Sequence, residues 1–172
     1  MIKTFIIVAQ TADGFIAKNS SHPAVWTSKE DKRRFIDITK KAGVMVMGLN
    51  TFQTFPSPLK DRLHIVYSPE VDAAKNNIDG VVEYTSLSPA ELIKSLEARG
   101  FTEVAICGGS TIYTMFIKSG LVDTIYLTTE PILFGAGMGI FKEDLDIKLE
   151  LVNLDKTETG TIFTEYKIIN NQ

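Results

Sequence analysis

Apolar residues run without interruption through Thr4-Phe-Ile-Ile-Val-Ala9 and Val44-Met-Val-Met47. Both runs have strand length and no polar alternation, which predicts central strands covered on both faces. Between them the pattern changes. From Ser28 to Lys41 charged residues interleave with Phe35 and Ile38 and Gly43 follows, as in a helix closed by glycine. Leu63 to Tyr67 reads as the next strand, ended by Ser68-Pro69. Ser88-Pro89-Ala90-Glu91 sets a cap residue, a first-turn proline and a capping-box glutamate in order, and Arg99-Gly100 ends that second helix. Glu103 to Cys107 reads as a strand, Gly108-Gly109 as a turn, Ser110 to Lys118 as a short helix and Asp123 to Thr129 as another strand. Lys148–Leu154 and Thr161–Ile169, around Glu158-Thr159-Gly160, predict a β-hairpin. This order implies an α/β domain: a mostly parallel central sheet, an antiparallel C-terminal hairpin and helices on both faces.

No repeat, low-complexity tract or linker divides the 172 residues, so residues 1–172 read as a single domain. A net charge of −3 gives no basic footprint for nucleic acid, and no Lys/Arg cluster suggests a membrane surface. The apolar start is too short for a membrane span and lacks a signal-peptide cleavage pattern, so a cytoplasmic location is expected. Cys107 is the single cysteine, and His22 and His64 lie far apart. No intrachain disulfide can form, and no metal site is expected.

Chemistry could sit in three places. In Trp26-Thr-Ser-Lys-Glu-Asp31-Lys-Arg-Arg-Phe35-Ile-Asp-Ile-Thr39, Asp31, Phe35 and Thr39 are four apart and share a helix face. A carboxylate there, beside an aromatic ring and behind Trp26, can hold the amidine-like edge of a heterocycle with two parallel hydrogen bonds. The alternative is capping, through Ser28–Asp31 or Thr27–Glu30; both roles coexist if Glu30 serves the cap. The second place is Cys107-Gly108-Gly109-Ser110-Thr111, a glycine pair between strand and helix. It offers backbone N–H groups to a phosphate, or is mere turn geometry. The third is Met47-Gly48-Leu49-Asn50-Thr51, where a buried strand again ends in glycine. Two such strand ends in one parallel sheet suit a dinucleotide; the competing reading is a short helix capped by Asn50 or Thr51. Cys107 reads as a small buried hydrophobe.

In this order and spacing, these segments resemble the dihydrofolate reductase superfamily, which includes the reductase domain of riboflavin biosynthesis, over nearly the whole chain. Ala9 to Ile16 is similar to the family's first strand and the start of its mobile loop beside the nicotinamide. Trp26, Asp31, Phe35 and Thr39 match its tryptophan, catalytic carboxylate, pocket aromatic and helix threonine. Val46-Met47-Gly48 with Thr51 resembles the pyrophosphate-binding turn, Gly108-Gly109 with Tyr113 the second cofactor turn, and Leu127-Thr128 the threonine linked to the catalytic acid. Pro58-Leu59-Lys60-Asp61-Arg62 resembles the segment whose arginine holds the folate glutamate. The resemblance implies a dihydrofolate reductase-like fold and NADPH as cofactor. It implies Asp31, Thr128 and Trp26 in catalysis, and Ala9, Phe35, Leu59 and Arg62 around the substrate. Ile16, Gly48, Thr51, Ser68, Gly108, Gly109, Ser110, Thr111 and Tyr113 would lie around the cofactor.

The chain departs from the pattern. Leu49 stands where a basic residue near the 2′-phosphate is usual, Ser110 replaces a third glycine, and Val25 replaces the proline before the tryptophan. Thr27 to Asp31, Leu121-Val122-Asp123 and Pro131 to Gly137 are similar to riboflavin-pathway reductases, whereas no Asp-Asp-Pro follows Thr51. The leading expectation is reduction of 7,8-dihydrofolate to tetrahydrofolate, with Asp31 assisting protonation at N5 and Arg62 pairing with the substrate carboxylate. The alternative is reduction of 5-amino-6-(5-phosphoribosylamino)uracil, with Lys60 or Arg62 as phosphate anchor. A third class is a nucleotide- or pterin-binding module without turnover, against which the Asp31 and Thr128 pair argues. The partner is a small pterin or pyrimidine, and the assembly a monomer or homodimer.

Overall fold

The computed structural model describes residues 1–70 and 72–169. Its strands are β1 (Lys3–Thr11), β2 (Val44–Gly48), β3 (Leu63–Tyr67), β4 (Val82–Thr85), β5 (Glu103–Ile106), β6 (Thr124–Glu130), β7 (Lys148–Lys156) and β8 (Ile162–Ile169). The helices are α1 (Lys29–Ala42), α2 (Leu49–Gln53), α3 (Pro89–Ala98) and α4 (Ser110–Lys118), with a 3-10 turn at Ala73–Asn76. One sheet holds the strands in the order β4-β3-β2-β5-β1-β6-β8-β7. β4 through β6 pair in parallel, β8 runs antiparallel to β6, and β7 runs antiparallel to β8.

The unbroken apolar runs follow from burial on both sides. Ile6 and Val8 of β1, with Val44 and Val46 of β2, face one core with Leu92, Leu96 and Phe116 of α3 and α4. Phe5, Ile7, Met45 and Met47 alternate to the other face and pack with Ala42 of α1 and its half-buried Phe35 and Ile38. Each such side chain, fully buried, contributes roughly 1.5–3 kcal/mol. Helices therefore cover both faces.

Helix α1 begins at N-cap Ser28, whose side chain accepts the Asp31 N–H, and ends at Gly43 in the left-handed region at φ 74°. α3 has the full Ser88–Glu91 capping box with Pro89 in its first turn. The pattern missed β4 and the 3-10 turn. β4 is four residues long, with only Val82 buried, too short to show a period. α2 is also a correction: its N-cap is Gly48 with no side-chain cap, not Asn50 or Thr51. Ile140 and Phe141 pack on the domain's own core, whereas β7 is exposed along its whole length.

Candidate active site

α1 runs back across the sheet, so its first turn lies over the carboxyl ends of the strands. Ala9 of β1 is in register with Thr128 of β6, and both point to the α1 side, as Phe5, Ile7 and Tyr126 do. Asp31 meets them there. Its carboxyl lies beside the side chains of Thr128 and Thr27, both residues being buried, and the Thr27 hydroxyl donates to Ala24 O at 3.3 Å. Its pKa is raised above the ordinary carboxylate value. Burial is the largest cause, the two threonines oppose it, the Glu130 charge adds to it and Arg34 subtracts from it. The cap uses the Asp31 backbone N–H and leaves its side chain free of that duty, so capping and a pocket role are compatible. Glu30 is not what completes the cap; the Ser28 N–H donates to Glu130 Oε1 at 2.8 Å.

Trp26 Nε1 is buried and has no hydrogen-bond partner among the described residues. Its ring meets Phe134 edge-on at 5.1 Å. A buried indole N–H costs stability unless a water or ligand accepts from it, so this donor is left over for such an acceptor at the start of α1. The loop after β1 is tied to the segment after β6. Ile16 N–H donates to Met138 O, Met138 N–H to Ala17 O, and the Asp13 carboxylate accepts from the backbone of Phe134 and Gly135. That brings Ile16 to the cleft-side edge and against the core.

Farther along α1, Phe35 lies near-parallel to Phe55 with centroids 6.4 Å apart. Thr39 follows two turns after Asp31, about 12 Å along the axis. Thr39 Oγ1 accepts from Arg62 Nη1 at 2.6 Å, Nη1 also reaches Ile36 O at 3.3 Å, and Nε donates to Lys60 O at 2.9 Å. Arg62 is 8% exposed. It offers a ligand only its Nη2 end, fewer donors than the sequence suggested, because the last turn of α1 uses the rest. The Leu59 N–H donates to His64 Nε2 at 3.1 Å, while His64 Nδ1 faces Val81 O. Burial lowers the His64 pKa, and the pairing holds it as the neutral Nδ1–H tautomer. A histidine missed as a functional signal therefore anchors the Leu59–Arg62 segment.

The two glycine turns meet because β2 and β5 are neighbours. Gly48 N–H donates to Gly108 O at 2.8 Å, and a Cβ at Gly109 would stand 3.4 Å from Thr51 Oγ1. Gly108 has φ 105°, and a Cβ on it would lie 3.0 Å from the Tyr113 ring, so that position accepts only glycine. Tyr113 is buried, its hydroxyl donating to Ile7 O at 2.8 Å. Its side chain buttresses the turn from below. The Ser110 hydroxyl is likewise used inside, on Gly139 O at 2.6 Å, and Thr111 Oγ1 accepts from Lys142 Nζ at 2.7 Å. Ser68, after β3 on the same sheet edge, accepts from Glu70 N–H. The first turns of α2 and α4 start at Gly48 and Gly109 with no side-chain cap. Their amides are free to meet phosphate oxygens, and the residues present fit the pyrophosphate of a dinucleotide.

Against known proteins this geometry has a clear counterpart. A profile of the RibD C-terminal domain family matches residues 3–163. The chain belongs to that family, within the dihydrofolate reductase superfamily. It is 31% identical to the dihydrofolate reductase of Heliothis virescens over 138 residues, 74% of this chain and 72% of that one. A pyrimidine reductase-like protein from Corynebacterium diphtheriae superposes with a TM-score of 0.80 at 18% identity, covering 99% and 93% of the two chains. Dihydrofolate reductase from Enterococcus faecalis, complexed with NADP(H), superposes with a TM-score of 0.75 at 23% identity, covering 98% and 97%. A RibD C-terminal, dihydrofolate reductase-like chain is a reductase by family, and its fold is theirs. No helix among the described residues is long and apolar enough to cross a membrane.

Glu130 was not a sequence candidate. The one signal available was its place two residues after Thr128, which puts a charge on the same strand face as the threonine.

Proposed function

We propose that this RibD C-terminal family member is a cytoplasmic, NADPH-dependent reductase that converts 7,8-dihydrofolate to tetrahydrofolate. The observation that supports it best is the Asp31 carboxyl. It is half-buried beside Thr128, at the head of a helix face that continues through Phe35 to Thr39 and Arg62. A pterin fits the Asp31 end, a flat linker the Phe35–Phe55 walls, and a terminal carboxylate the Arg62 Nη2 group. The span of about 12 Å suits an extended ligand of that size.

NADPH, when bound across the Gly48 and Gly108–Gly109 turns, supplies the hydride for C6 of the pterin. The chain's own residues do the rest. Asp31 holds the amino and ring-nitrogen edge, keeps a proton available for N5 because its burial favours the neutral acid, and is oriented by Thr128 and Thr27. Trp26 Nε1 offers a donor for an ordered water in the same polar pocket. The balance is dihydrofolate, NADPH and one proton giving tetrahydrofolate and NADP⁺. The lone Cys107 is buried, with its thiol pKa pushed up, in keeping with a reducing compartment.

A second reading is favoured by the match to the RibD C-terminal domain: the same cleft reduces 5-amino-6-(5-phosphoribosylamino)uracil, with exposed Lys60 taking the phosphate. Steady-state NADPH oxidation with the two substrates side by side separates them. Higher kcat/KM on dihydrofolate supports the first, higher kcat/KM on the pyrimidine replaces it with the second, and oxidation by neither removes both.

A further inference from the structure

Glu130, the last residue of β6, is 4% exposed. Both carboxylate oxygens are used: Oε1 accepts the Ser28 N–H at 2.8 Å, and Oε2 accepts the Thr161 hydroxyl at 2.8 Å. Ser28 is the N-cap of α1 and in turn binds the Asp31 N–H at 3.1 Å. A chain of two hydrogen bonds therefore runs from the end of β6 to the backbone of Asp31. On the same strand face, two residues earlier, Thr128 lies beside the Asp31 side chain. β6 thus meets Asp31 twice, through Ser28 at its backbone and with Thr128 beside its side chain.

A buried carboxylate beside a second carboxyl is costly unless it does something, and the helix cap alone needs only a neutral acceptor. We propose that Glu130 is a positioning residue for Asp31. Through Ser28 it fixes the first turn of α1 over the cleft, and as a buried negative charge beside Thr128 it favours the protonated form of the Asp31 carboxyl. The other groups around Asp31 are consistent with that division. From α1, Arg34 carries the opposing positive charge, but it is drawn to the rings of Tyr126 and Phe163 at 5.5 and 4.7 Å and is shared with Glu165 and Asp155. From the turn before α1 and from β6 come the neutral hydroxyls of Thr27 and Thr128, and from α4 the neutral, buried Tyr113. Burial raises the Asp31 pKa most, and Glu130 is the group among these whose charge adds to it.

This inference rests on Asp31 holding the proton for reduction, and its test reads Asp31 directly. Glu130→Gln keeps an oxygen for the Ser28 N–H and turns an amide toward Thr161, so the charge goes while the frame stays. In the ligand-free protein, carboxyl ¹³C NMR is expected to show Asp31 titrating at lower pH in Glu130→Gln than in wild type. The alkaline limb of kcat, where the protonated acid is lost, shifts the same way, with turnover at neutral pH about three- to tenfold lower, since one pKa unit is tenfold in the protonated fraction. Thr161→Val keeps the charge and the Ser28 contact, and its Asp31 titration is expected to match wild type. In the wild-type protein itself, the Glu130 carboxyl resonance should sense the charge that appears as Asp31 ionises; this reading stands if Glu130→Gln does not fold. An unmoved Asp31 titration in Glu130→Gln, an equal shift in Thr161→Val, or a Glu130 signal blind to Asp31 overturns the proposal. A shifted titration in a protein that reduces neither substrate leaves Glu130 in its role and removes the assigned reaction instead.

Discussion

Asp31→Asn separates chemistry from folding in this protein. The helix cap uses the Asp31 backbone N–H and the Ser28 side chain, so the substitution leaves α1 intact. The Thr128 and Thr27 side chains beside it are untouched. Two things change. The amide presents an NH₂ where the heterocycle's own N–H groups need an acceptor, and no group remains to hold a proton for N5. Loss of positioned acid help alone is worth roughly 10²-fold in turnover, about 2.7 kcal/mol of transition-state stabilisation. Stability should move the other way. The folded-state pKa of Asp31 is raised by burial. The native protein therefore binds the proton more tightly than the unfolded chain, and ionisation of Asp31 costs stability above its folded pKa. Asp31→Asn is then at least as stable as wild type at neutral pH, and the gap closes as pH falls through the folded pKa toward the ordinary carboxylate value. Stopped-flow cofactor oxidation with dihydrofolate measures the first effect, and urea unfolding at neutral and acidic pH the second. Turnover within a few-fold of wild type at pH 7, or a variant clearly less stable than wild type there, refutes this account of Asp31.

Other outcomes follow from the same geometry. Arg62→Lys cannot serve Lys60 O, Ile36 O and Thr39 Oγ1 while presenting a further donor, so KM for dihydrofolate should rise about 10- to 100-fold with kcat little changed, the range of a lost charged hydrogen bond; an unchanged KM removes Arg62 from the substrate site. Gly108→Ala forces a side chain into φ 105° against the Tyr113 ring, and a stability loss of at least about 1–2 kcal/mol in thermal unfolding, with weaker NADPH binding, is expected; a neutral outcome contradicts the described turn. His64 is buried with its pKa lowered from 6.5, so the unfolded chain binds the proton first and stability is lost as pH falls below about 6.5. A His64→Leu variant should lack that part of the slope, which urea midpoints at pH 7.5 and 5.5 compare.

Much of the fold was legible because burial on both faces writes itself into the sequence as continuous apolar runs, as in β1 and β2. Caps do the same for the helices, as Ser28 with Gly43 and Ser88 with Pro89 show. β4 was illegible because four residues with one buried side chain carry no period. In the site, the face shared by Asp31, Phe35 and Thr39 could be read from helical spacing, and the glycine turns from their place after buried strands. What spacing could not give was how side chains divide their hydrogen bonds. Tyr113 and Ser110 turned out to be spent on Ile7 O and Gly139 O, and Arg62 largely on the end of α1. The Glu130–Ser28 contact joins residues 102 apart and has no local signature.

The central claim is that the Asp31 carboxyl sits in a desolvated pocket that a flat heterocycle enters. Its ¹³C carboxyl titration, with and without folate, tests that most directly. We expect an ionisation above the ordinary carboxylate range in the free protein and a changed resonance when folate binds. An ordinary titration, indifferent to folate at saturating concentration, contradicts the claim.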